Sequence, residues 1–203
     1  MNNSLGAAVE VVTEVGDLVD PDGSARFVQA ALNRFGRLDS AVAFSGAIVI
    51  GRFTDSSVDD LRTVLAGCVE GPYQFMKAVT APMIERGGGQ VLLMTSAAGG
   101  RTTPGAPLYS SARAAANHLV RNVAGELART GVQVNAVGTN FMDFPAFLAA
   151  NRVTDDESRE RVEAMVPMKR LGTVEECAAF CMGFLDGSSQ FTTGQFVSYA
   201  GGW

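Results

Sequence analysis

The spacing of hydrophobic positions changes several times along the chain, and each change predicts an element. Residues 9–15, rich in valine, predict a strand; residues 22–35 carry a helical apolar period that stops at Gly36. Residues 38–44 form a short apolar run with strand character. Ser56 or Ser57 is placed to cap a long helix reaching residue 85, just before Gly87-Gly88-Gly89. Later strands are predicted at 91–95, 132–137 and 195–199, and later helices at 108–130, 155–165 and 173–185. Thr173 with Glu176 three positions on is a capping box for the last helix. Strands alternating with helices predict an α/β fold: a Rossmann-like parallel sheet with helices on both faces, in one domain over residues 1–203.

Composition narrows the partners. The net charge is −5 with no basic stripe, which argues against nucleic acid. Cys68, Cys177 and Cys181 beside a single histidine, His118, do not make a metal site; the last two cysteines share a helix face as reduced core thiols, which predicts a cytoplasmic home. The most apolar stretch, residues 41–50, is interrupted by Ser45 and Gly46, so no membrane span or secretory segment is predicted.

The candidate chemistry lies in the middle of the chain. Ser96 stands thirteen positions before Tyr109, and Arg113 follows Tyr109 by four. The pair shares one helix face, one turn apart. A free phenol has a pKa of about 10. A guanidinium within roughly 4–6 Å favours the phenolate by about 1–3 units. Tyr109 is the expected base, Arg113 its tuner, and Ser96 the group that holds a substrate oxygen.

This stretch resembles the active-site segment of the short-chain dehydrogenases/reductases, whose usual motif is Ser followed by Tyr-x-x-x-Lys. The resemblance extends through Asp17-Leu18-Val19-Asp20, Gly87 to Met94, Gly131 to Gly138, Val166 to Gly172, Thr193-Gly194-Gln195 and Gly201-Gly202. Arg113 in place of lysine looks like the halohydrin dehalogenases, relatives that keep the fold without the nicotinamide cofactor. Other departures run the same way. No glycine-rich turn follows a first strand. Ala43-Phe44-Ser45-Gly46 replaces Asn-Asn-Ala-Gly, and Cys68 stands where the dehydrogenases carry a catalytic asparagine.

The resemblance therefore implies a cofactor-independent halohydrin dehalogenase, a carbon–halide lyase that closes vicinal haloalcohols to epoxides and reopens epoxides with small anions. Thr139, Asn140, Phe141, Met142, Phe144 and Phe147 are expected around the halide and substrate. The aromatic edges would face the anion, and the amides of Asn140, Phe141 and Met142 would form a nest. The family implies a homotetramer. It also implies about fifty further residues before the present third strand, so a longer natural protein is expected. The alternatives are an NAD(P)-dependent oxidoreductase acting on an alcohol or carbonyl, and a catalytically silent subunit.

Overall fold

The computed structural model describes residues 10–20 and 22–203. The first helix, α1 (Gly23–Phe35), leads to strand β1 (Ser40–Phe44); then come α2 (Val58–Leu65), α3 (Gly71–Arg86) and β2 (Gly89–Ser96). After them follow α4 (Pro107–Leu127), β3 (Val132–Thr139), α5 (Pro145–Ala150), α6 (Asp156–Glu163), α7 (Val174–Met182) and β4 (Phe196–Tyr199). The four strands lie in the order β1-β2-β3-β4, all parallel. Ser96 pairs with Thr139, and Thr139 with Tyr199, so the C-terminal ends of β2, β3 and β4 are level.

Alternation along the strands divides the core between two faces. Val91 and Leu93 of β2 join Val132, Val134 and Ala136 of β3 against Phe75, Val79 and Met83 of α3 and Val120 and Ala124 of α4. Leu92, Met94 and Val137 face the opposite way, onto Cys177 and Cys181 of α7. Among the described residues, no helix is long and apolar enough to cross a membrane.

Local signals mark several boundaries as expected. Gly36 closes α1 with φ 69°, a left-handed cap, and its N–H bonds the Leu32 carbonyl at 2.9 Å. Ser57 forms a reciprocal capping box with Asp60 at α2, and Thr173 one with Glu176 at α7.

Two expectations are corrected. Val9 lies outside the described residues, and residues 10–15 are irregular and exposed instead of forming a strand. A strand takes its hydrogen bonds from a neighbour, and this segment pairs with none of the four described strands. The long helix over 56–85 is also interrupted: a π-helical turn, Ala66–Glu70, separates α2 from α3. Pro72 follows directly. It has no N–H to bond the carbonyl four residues back, which loosens the helical ladder there.

Two measurements test this packing. Leu93 is 1% exposed in the main core, so Leu93→Ala should cost about 2–5 kcal/mol in urea unfolding. Arg170 forks onto Glu176 at 2.7 and 2.8 Å, and with the Thr173 amide it holds the Glu176 carboxyl down from 4.5 to about 2. A lowered folded value means stability present above pH 4.5 and lost as pH falls toward about 2. Glu176→Gln should therefore lower the unfolding temperature above pH 4.5 and match the parent near pH 2.

Candidate active site

Ser96 ends β2, and its hydroxyl accepts a 3.2 Å bond from the Ala98 amide, opening a short 3-10 turn over Ala97–Gly100. Ser110 in the first turn of α4 donates to the Ala98 carbonyl at 2.7 Å and the Arg101 carbonyl at 3.0 Å. That clasp fixes the start of α4, and with it Tyr109, against the loop leaving Ser96. The turn also presses directly on α4. A Cβ on Gly99 would come within 2.7 Å of the Arg113 backbone carbon and of Asn117 Nδ2.

Tyr109 and Arg113 are brought together as their spacing implies. Arg113 Cζ lies 5.2 Å from the centre of the tyrosine ring, within cation–π range over its face. Arg113 is only 7% exposed. Among the described residues it has no carboxylate partner, and its Nε and Nη1 make no hydrogen bond. Burying such donors unpaired is costly, so a guanidinium in this condition marks a candidate functional group.

Gly46, just beyond β1, has φ 151°, and a side chain there would collide with Arg113 Nη2. In the sequence Gly46 is only the last residue of Ala43-Phe44-Ser45-Gly46 and a break in an apolar stretch. Thr95, Thr103 and Asn117, whose buried polar atoms lack partners like those of Arg113, were not among the expected site residues. Asn117 was traceable, since it lies one turn beyond Arg113 on the same face as Ala112 and Ala116.

Ser96, Tyr109 and Arg113 line one cavity of about 740 Å³ at the C-terminal ends of the strands. Thr139, Asn140, Phe141, Met142, Phe144 and Phe147 line it too. Two of the three amides expected to form an anion nest are already engaged. Asn140 N–H bonds the Tyr199 carbonyl at 3.3 Å, and Phe141 N–H bonds Asn140 Oδ1 at 2.9 Å. Phe141 also turns into a packed cluster, edge-on to Phe147 at 5.8 Å and Trp203 at 5.2 Å. A backbone carbonyl and the Asn140 side chain thus occupy two of the three amides, and the Phe141 ring is packed against Phe147 and Trp203.

The cysteines stand apart from this arrangement. Cys68, in the π-helical turn, donates its Sγ–H to the Ala47 carbonyl at 3.3 Å. Cys177 and Cys181 are buried on α7, where loss of water pushes both thiols up, Cys181 to about 12. His118 is exposed on α4.

Comparison with known proteins places this site in a family. The family model described as enoyl-(acyl carrier protein) reductase matches residues 1–203. The chain belongs to that family, and with it to the short-chain dehydrogenase/reductase superfamily. An uncharacterized oxidoreductase of Mycobacterium tuberculosis (strain ATCC 25618 / H37Rv) is 30% identical over 184 residues, covering 88% of this chain and 67% of the relative. A 3-oxoacyl-(acyl-carrier-protein) reductase of Synechocystis is 30% identical over 199 residues, covering 97% and 76%. Among solved structures, a short-chain type dehydrogenase/reductase from Mycobacterium ulcerans superimposes with a TM-score of 0.85 at 29% identity, over 93% of this chain and 68% of that one. ElxO with NADP bound gives a TM-score of 0.84 at 24% identity, over 92% and 75%.

The expectation of a cofactor-free enzyme is thereby corrected. The matched family is one of reductases, and a neighbour with the same fold was solved with NADP in place. The names of these relatives are oxidoreductase and reductase names, so the halohydrin dehalogenase expectation, and the lyase class with it, gains no support.

The geometry around Arg113 makes one test direct. Gly46→Ala would both strain the backbone and displace the guanidinium. The variant should fold with a lowered melting temperature and lose most activity, and wild-type turnover by Gly46→Ala would show that the position of Arg113 is unimportant.

Proposed function

We propose that the protein is an NAD(P)-dependent oxidoreductase that interconverts an alcohol and a carbonyl compound at the cavity containing Ser96, Tyr109 and Arg113. The observation that carries this reading is the buried Arg113 guanidinium, stacked on Tyr109 with two unpartnered donors, in a chain matched along its whole length by a reductase family. Those donors suit the hydroxyls of a ribose, which accept hydrogen bonds and carry no charge of their own. Ser45 and Gly46 after β1, with Thr139 at the end of β3 and Asn140 just beyond it, border the same hollow and would flank the nicotinamide end. They sit where ligands of open parallel sheets bind, outside the carboxyl ends of the strands. Among the described residues neither G-x-G-x-x-G nor G-x-x-x-G-x-G follows a strand, so the fit concerns the ribose and nicotinamide end alone.

The nicotinamide, when bound, supplies or accepts the hydride. The chain's own residues manage the oxygen. In the reducing direction, Tyr109 gives its hydroxyl proton to the carbonyl oxygen as negative charge develops there. Ser96 donates a second hydrogen bond to that oxygen and fixes the face presented for reaction. Arg113 packs against the tyrosine ring and would offer its guanidinium to the ribose of a bound nicotinamide cofactor. In the oxidising direction the proton returns from the alcohol to the tyrosine oxygen.

Tyr109→Phe keeps the ring and its contact with Arg113 but removes the transferable proton. Its kcat/KM should fall by about 10²–10⁴-fold, followed as loss of reduced-nicotinamide absorbance over a panel of ketones, with the melting temperature little changed. Full activity in that variant would rule out the assigned role.

A further inference from the structure

The walls of the cavity say what kind of carbonyl compound it takes, provided the oxidoreductase reading holds. Among the described residues lining it, Arg113 is the sole charged side chain. That guanidinium is buried behind Tyr109 and already assigned to the ribose. The surface away from the strand ends is mostly hydrocarbon, made of Ile48, Ile50, Phe147, Ala150 and Met165, with Asn151 beside them giving its side-chain amide to the Phe147 carbonyl at 2.9 Å. Ile48, Ile50 and Met165 are 60%, 66% and 52% exposed, so the rim itself offers apolar side chains to solvent. Such a rim favours ligands that bring their own apolar surface to cover it.

We infer that the substrate is an uncharged, largely hydrocarbon ketone or secondary alcohol of bicyclic size, whose reacting oxygen is the one polar group the cavity addresses. A carboxylate or phosphate carried past the rim to Phe141 and Met142, both buried, would be stripped of water with no free cation among the described lining residues to receive it. An ammonium group would find no carboxylate in the wall and would feel the positive charge of Arg113. At about 740 Å³ the cavity lies within the range of small-molecule sites. Its size leaves room for a ring system beside the nicotinamide end. Ile48, Ile50, Phe147 and Met165 are thereby specificity-determining residues.

Binding can be read without turnover. Trp203 is the single tryptophan of the chain and touches Phe141 of the cavity wall, so its fluorescence reports occupancy. The full chain is titrated with a saturated bicyclic ketone and with the same ring system bearing a carboxylate, and both are then offered with NADH and NADPH. The neutral ketone should bind at least about tenfold more tightly and be the one reduced. Met165→Lys, at an exposed position, should bring the carboxylate within reach of the neutral ligand's affinity. Equal or tighter binding of the carboxylate by the unaltered chain overturns the inference, as does its preferential reduction, and in the latter case the oxidoreductase reading survives. Binding of the neutral ketone with no reduction of any ketone overturns the reaction itself, and the assignment of a substrate with it.

Discussion

A guanidinium cannot leave water cheaply, and this fold keeps one almost out of reach of solvent with no carboxylate among the described residues to balance it. Arg113 is held there by backbone shape more than by charge. Gly46 clears the space in which Nη2 rests, and Gly99 lets the turn after Ser96 lie flat on α4. The ring of Tyr109 covers one side of the cation. A side chain at Gly46 would strike the guanidinium, and one at Gly99 would strike the α4 backbone at Arg113. Native proteins retain unpaired buried donors where a ligand completes them.

Much of the architecture was legible because its signals are local. Gly36 ends α1 through its own backbone conformation, and Thr173 and Glu176 cap α7 within a single turn. The contact between Tyr109 and Arg113 follows from helical spacing alone. What escaped the sequence depends on distant partners. Residues 10–15 have strand-forming side chains, yet strand status requires a neighbouring backbone. The amides of Asn140 and Phe141 looked available in sequence, and only the fold shows that the Tyr199 carbonyl and the Asn140 side chain have claimed them. Gly46 read as a motif residue, whereas its role is to yield space to a side chain 67 positions later.

The functional reading turned on how much a single substitution changes. Arginine in place of lysine, and cysteine in place of asparagine, drew the sequence toward a relative that works without nicotinamide. The whole-chain match to a reductase family draws it back. A guanidinium and an ammonium both donate hydrogen bonds with positive charge, so the exchange preserves the interaction a ribose needs while altering its geometry. Cys68 has no amide to offer, and its thiol is turned to the Ala47 carbonyl. The deviation at that position therefore belongs to local packing.

The widened turn at Ala66–Glu70 has a consequence for phase. One surplus residue in a helix rotates everything downstream by about 100° relative to an unbroken continuation. Val64 upstream and Cys68 within the turn can then pack toward Ala112 of α4, while Phe75, Val79 and Met83 downstream aim at the sheet. A continuous rod of the same sequence could not satisfy both targets at once. The bulge is what allows one segment to support the wall beneath the tyrosine and the floor of the sheet together.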